Sequence, residues 1–248
     1  MILNEGSTSR LVFCCDHAGS EIPARLGGLG MAPEDINDHI GLDIGIFATT
    51  CWIAGMLGAP LVAQPISRLV IDCNRTAESS DLVRKTYDGR TISGNADISD
   101  EERMRRITEI LEPYQSALSG VLDRARKAST HPPILMAMHS FTRAFGETRR
   151  NCDIGVIFEG SETFGKAFLE NLTAATTLNV QHNEPYRIDF KGDYTIPTHT
   201  KGGELPYVEL EICQDLISTC RGQRDIARTI TTVLKSTLRR TDVVPEVI

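Results

Sequence analysis

Short, unbroken apolar runs alternate along the chain with longer stretches whose apolar positions recur every three or four residues. The runs have the form of strands covered on both faces, and the stretches that of amphipathic helices. Leu11 to Cys15 is the first run, and it closes on Asp16-His17-Ala18-Gly19. Pro60 to Ala63, Leu69 to Asp72, Ile134 to Met138, Ile154 to Phe158 and Tyr207 to Ile212 read as further strands. Helices are predicted over Ile44 to Leu57, Asp100 to Lys127, Glu162 to Ala175 and Arg224 to Leu238. In the second helix Met104, Ile107, Leu111, Tyr114, Leu118, Val121, Leu122 and Ala125 keep the helical period. Ser99 ahead of Asp100, Glu101 and Glu102 supplies a cap and an acidic first turn, and Pro113 is expected to bend this helix. The alternation predicts an α/β fold. Ala77 to Asp97 and Asn183 to Gly203 follow neither period. Loops that long in a compact domain are more often functional than idle, so both are expected to border the site.

The 248 residues fall where one α/β domain is normal, so a single domain over 1–248 is expected. Hydrophobic residues at 41% and charged residues at 24% indicate a folded, soluble chain. A net charge of −7 with no long Lys/Arg run argues against a nucleic-acid partner. The opening MILNEGSTSR lacks a basic start followed by an apolar stretch, and no window approaches a membrane span. Seven scattered cysteines without a CxxC pair read as reduced core residues and point to the cytoplasm. An acidic chain that takes an anionic substrate needs local positive charge, from specific arginines or a metal.

His17 and His139 each follow an apolar run, in FCCDH and LMAMH, where open α/β sheets bind ligands. Either alone could be an ordinary strand-end histidine. Converging on one point, the two would supply the histidines of a catalytic zinc that takes a carboxylate as third ligand. Asp16, Glu21, Asp38, His39 and Asp43 are all available for that third position, and spacing singles out none of them. Glu21 lies four residues after His17, but Gly19 and Pro23 disfavour a regular helix there. Asp43, embedded in HIGLDIGI, needs a partner, a metal or a helix-capping role. SRLVIDCNR closes on Asp72, Asn74 and Arg75, where the Arg75 fork suits a carboxylate or a structural salt bridge; Arg68, Arg149, Arg150 and Arg187 are the next candidates. In YVELEICQDL, Glu209 and Glu211 share one side of a strand. Burial would raise the pKa of either toward that of a general base, while a bland reading turns one of them to solvent.

In this order the motifs CDHAGSEIP, HIGLDIG, SRLVIDCNR, MAMHSFT, NEPYR with GDYT, and VELEICQDLI resemble the N-formylglutamate amidohydrolase family, from about residue 11 to about residue 217. The resemblance implies His17, Asp43 and His139 as ligands of a divalent metal, zinc by the donor set. It implies Asn74 and Arg75 as the substrate-carboxylate site and Glu211 as general base. The implied reaction is hydrolysis of a small anionic N-acyl amino acid, N-formylglutamate giving formate and glutamate. The family is distantly similar to zinc carboxypeptidases and aspartoacylase-like deacylases. This implies a mixed, mostly parallel central sheet with helices on both faces, zinc-exopeptidase-like (phosphorylase/hydrolase-like). The late loop RIDFKGDYTIPTHTKGGELPY departs from the family pattern, and Cys213 stands where many relatives show an arginine. Tyr194 and His199 in that loop are candidates for orienting substrate or stabilising an oxyanion. The competing expectations are a related deacylase or peptidase with another N-acyl substrate, and a binding protein without turnover.

Overall fold

Successive residues of Leu11–Cys15 meet different helices, as a strand covered on both faces requires. Cys15 Sγ lies 3.4 Å from Thr50 Oγ1, whereas Cys14 meets Tyr114. The computed structural model describes residues 1–241. In chain order its strands are β1 (Ile2–Leu3), β2 (Leu11–Cys15), β3 (Leu61–Ala63), β4 (Thr86–Tyr87), β5 (Arg90–Thr91), β6 (Ile134–Phe141), β7 (Ala144–Phe145), β8 (Thr148–Arg149), β9 (Ile154–Ile157), β10 (Val180–His182) and β11 (Tyr207–Cys213). The α-helices are α1 (Pro33–Ile36), α2 (Ile46–Leu57), α3 (Asp100–Arg106), α4 (Glu112–Ala128), α5 (Glu162–Ala175), α6 (Thr195–His199), α7 (Gln214–Ile217) and α8 (Cys220–Thr241).

Seven strands form one sheet in the order β1-β3-β2-β6-β11-β9-β10. β3, β2, β6 and β11 run parallel, β9 runs antiparallel to β11, and β1 antiparallel to β3. The sheet is therefore mixed and mostly parallel, with helices around it. α2, α5 and α8 pack together on the face that Thr50 marks, and α4 covers β2 and β3 from the face that Tyr114 marks. Pairs β4–β5 and β7–β8 are separate hairpins. No helix among the described residues is long and apolar enough to cross a membrane. Of the seven free cysteines, Cys14, Cys15, Cys73, Cys152 and Cys213 are buried, as expected of core residues.

Two expectations change form. Leu69 to Asp72 is no strand but a buried turn. Its carbonyls are satisfied by side chains rather than a neighbouring strand: Leu69 O accepts from Asn95 Nδ2 and Val70 O from Arg106 Nη1, both at 2.8 Å. The bend expected at Pro113 appears as a π turn over Ile107–Leu111, which joins α3 to α4 and lets the chain accommodate the missing N–H. Ser99 caps α3 as anticipated, its Oγ accepting from Glu102 N at 3.1 Å.

Candidate active site

β2, β6 and β11 lie side by side and parallel, so their carboxyl ends open on one side of the sheet. His17 follows the end of β2, and His139 within β6 pairs in register with Glu211 of β11. Asp43 reaches the same point because its backbone N–H donates to His17 O at 3.0 Å, pinning the segment before α2 against the strand end. Gly45 makes that approach possible. Its φ is 78°, and a Cβ there would stand 2.1 Å from Ile217 O.

One ligand atom from each of His17, Asp43 and His139 lies within 4.8 Å of the others, and all three residues are buried. Asp43 Oδ2 is 2.9 Å from His139 Nδ1 and 3.5 Å from His17 Nδ1. Donors around a tetrahedral zinc at roughly 2.1 Å stand roughly 3.4 Å apart, so the cluster could hold such an ion with small adjustments. The far ring nitrogens also face carboxylates, His17 Nε2 in a hydrogen bond and His139 Nε2 without one. His17 Nε2 is 2.7 Å from Asp72 Oδ1, and His139 Nε2 is 3.3 Å from Asp16 Oδ2. Carboxylates of this kind fix the ring and the tautomer of a metal-binding histidine. Asp16 is itself held by Tyr114 Oη at 2.6 Å and Thr195 Oγ1 at 2.9 Å. Arg68 supplies positive charge beside the cluster, with Nη1 3.1 Å from Asp43 Oδ1 and Nη2 2.7 Å from His17 Nδ1.

Burial alone would raise the Asp43 carboxyl, but Arg68 and His17 outweigh it and hold it well below the usual carboxylate range. Asp72 is likewise lowered against its burial, by His17 and Arg68. Burial disfavours a charged His139, yet the adjacent carboxylates of Asp16 and Asp43 raise its pKa well above the ordinary value. Glu211 behaves oppositely: burial pushes it up to about 8, against a partial opposing pull from His139. Burial raises Glu209 as well. Both glutamates are only 6% exposed and each keeps an Oε2 with no hydrogen-bond partner, so neither is the solvent-facing edge residue of the bland reading.

The cluster and both glutamates line a cleft of about 370 Å³. Both irregular segments border it, one through Ser79, Asp81, Arg84 and Tyr87, the other through Tyr186, Arg187, Asp189, Gly192 and Asp193. Asn74 and Arg75 also line it. Asn74 Oδ1 accepts from Thr195 N at 3.0 Å, tying the late loop down, and Arg75 is ion-paired with Asp193. Other residues weighed for the site lie elsewhere. Glu21 is exposed, and Asp38 and His39 pair with each other at 3.1 Å, with further contacts to Arg90 and Asp88. Tyr194 and His199 line a different hollow beside α4, with His199 Nε2 2.7 Å from Gln115 Oε1, so the structure does not bring them to this cleft. Asp72 as the partner of His17, and Asp16 as the partner of His139, are roles that sequence reasoning did not assign. The available signal was local: an aspartate directly before His17, and another at the end of an apolar run.

Histidines, a buried carboxylate pair and cationic side chains at the ends of parallel strands form the layout of a hydrolase site. Residues 9–218 match the profile of the N-formylglutamate amidohydrolase family. The chain belongs to that family and is a hydrolase of amide bonds. A gene product of Agrobacterium tumefaciens is similar over 98% of this chain and 95% of its own, with 27% identity and a TM-score of 0.91. The N-formylglutamate amidohydrolase of Ralstonia eutropha shares the fold, with a TM-score of 0.68 and 19% identity over 100% of this chain and 98% of that one. No curated protein matches the chain.

Proposed function

We propose that this chain is a single-domain, zinc-dependent deformylase of N-acyl amino acids, with N-formylglutamate as substrate and formate and glutamate as products. The observation that carries this reading is the buried His17–Asp43–His139 cluster next to Glu211 in an arginine-bearing cleft. A divalent ion held by those three side chains would supply the Lewis acidity that amide hydrolysis uses. Glu211, desolvated and with a free Oε2, takes a proton from the attacking water and returns it to the departing amine nitrogen. Arg68, beside Asp43 and His17, stabilises the negative charge that develops on the carbonyl oxygen. Arg75, steadied by Asp193 and by the Asn74 turn, binds the substrate carboxylate and so fixes the amide in the cleft. Free cysteines fit a cytoplasmic setting, and a net charge of −7 fits a small-molecule partner better than nucleic acid.

Zinc-loaded protein assayed against N-formyl, N-acetyl and N-succinyl amino acids tests this. Formate release from N-formylglutamate above all other substrates is expected. Turnover confined to acetyl or succinyl substrates would overturn the deformylase assignment and leave a deacylase with another acyl pocket.

A further inference from the structure

Five arginines line the cleft: Arg68, Arg75, Arg84, Arg150 and Arg187. Three already have carboxylates. Arg68 pairs with Asp43 at 3.1 Å, Arg75 with Asp193, and Arg84 with Asp81 at 2.8 Å. Arg187 is exposed, so water can solvate it. Arg150 differs from all of these. It is half-buried, yet among the described residues no carboxylate lies within ion-pair distance of it. Its Nη1 donates to Thr142 O at 3.1 Å, and its guanidinium carbon lies 4.8 Å from the Tyr186 ring centroid, 5.6 Å from Phe145 and 5.7 Å from Phe141. Aromatic faces hold a guanidinium in position without neutralising it.

The backbone beneath this side chain is also fixed. Arg150 N donates to Arg143 O at 2.9 Å, closing the base of the β7–β8 hairpin, and Arg143 is pinned by Asp153 at 2.8 Å and Asp215 at 3.2 Å. The result is a preorganised, uncompensated cation on the wall of a cleft whose other shielded arginines are committed to protein carboxylates. A partly buried charge held in that way is suited to an anion that arrives with the ligand, and its planar fork suits a carboxylate.

We propose that Arg150, caged by Tyr186, Phe145 and Phe141, is the specificity determinant that binds the side-chain carboxylate of a dicarboxylate substrate, while Arg75, which meets Asp193 through Nη1, takes the α-carboxylate through its other N–H groups. The inference rests on the function proposed above and deepens it. The enzyme selects N-acyl derivatives of acidic amino acids over their neutral isosteres because only an acidic side chain satisfies Arg150.

The test compares kcat/KM for N-formyl-L-glutamate and N-formyl-L-glutamine in wild type, Arg150→Met and Arg150→Lys. A charged hydrogen bond of this kind supports a preference of about 10- to 100-fold for the glutamate substrate. Arg150→Met should collapse that ratio toward one, chiefly through KM for the glutamate substrate, and Arg150→Lys should restore part of it. A purely structural role would lower both substrates in parallel and keep the ratio, which would overturn the proposal. Calorimetric binding of glutarate and of butyrate to zinc-loaded protein gives a readout independent of turnover. Glutarate should bind more tightly than butyrate in wild type and lose that advantage in Arg150→Met. If neither formyl substrate turns over but the glutarate advantage depends on Arg150, the deformylase reading falls and the carboxylate site stands. An unchanged glutarate advantage in the variant removes the site whatever the activity shows.

Discussion

Glu211→Gln is the substitution for which the structure makes the sharpest demand. Gln keeps the shape of the side chain and cannot take a proton. Positioned proton transfer contributes about 10²- to 10⁴-fold, so turnover should fall by that factor, equivalent to about 2.7–5.4 kcal/mol of barrier. The loss should lie toward the upper end, because Glu211 is buried and neither Asp43 nor Glu209 can replace it: Asp43 faces both histidines and Arg68, and Glu209 pairs in register with Ala137, two residues back along the strand. Wild-type activity should rise with pH as Glu211 loses its proton. Burial, partly opposed by His139, sets that loss at about 8, and a cation bound beside it would move the limb below 8. Stopped-assay formate release from pH 5 to 9 measures both effects, with zinc content checked in parallel. Glu209→Gln should have a smaller effect on turnover. If Glu211→Gln retains full zinc and more than a tenth of wild-type turnover, with the same pH limb, Glu211 is not the base.

If the cluster holds zinc as proposed, Asp72→Asn and Asp16→Asn should each weaken its binding by about 10- to 100-fold in chelator competition, because Asp72 bonds the His17 ring and the Asp16 carboxylate faces that of His139; unchanged affinity would mean the rings are held by packing alone. Arg106→Met should cost about 3 kcal/mol in urea unfolding, since it strands buried Val70 O and Asn95 Oδ1, both now 2.8 Å from Arg106 Nη1; a loss under 1 kcal/mol would show that the turn is satisfied otherwise. In zinc-stripped protein, Glu211 keeps its proton to about pH 8 when folded but loses it near its ordinary value of 4.5 when unfolded. Its contribution to stability is then complete below pH 4.5 and gone above about 8, so wild-type stability should decline across that window, and Glu211→Gln should flatten the decline in a pH series of urea melts.

The parts of the site that could be read in sequence are those whose local surroundings are improbable for their chemistry. His17, His139 and Glu211 are polar groups set into or just after fully apolar runs, and the structure brings all three to one side of the sheet. Asp43 could not be chosen over Asp16, Glu21, Asp38 and His39 by spacing, because what singles it out is a backbone hydrogen bond to His17 across a loop. Asp72 and Asp16 escaped assignment for a similar reason, since their partners are set by the packing of separate strands. Leu69 to Asp72 is as apolar as a strand, and only the distant Asn95 and Arg106 reveal that its carbonyls are met by side chains. Tyr194 and His199 sit in a long loop, and loop membership does not give side-chain direction: both line the hollow beside α4.

The most direct test is a titration of zinc into chelator-stripped wild-type protein, with formate release from N-formyl-L-glutamate followed at each addition. Activity should start near zero, climb in proportion to added zinc and break at one equivalent per chain, while His139→Ala gains no activity over the same range. Full activity in the stripped protein, or a wild-type response that His139→Ala reproduces, would contradict the assignment of this cluster as the metal centre of an amidohydrolase.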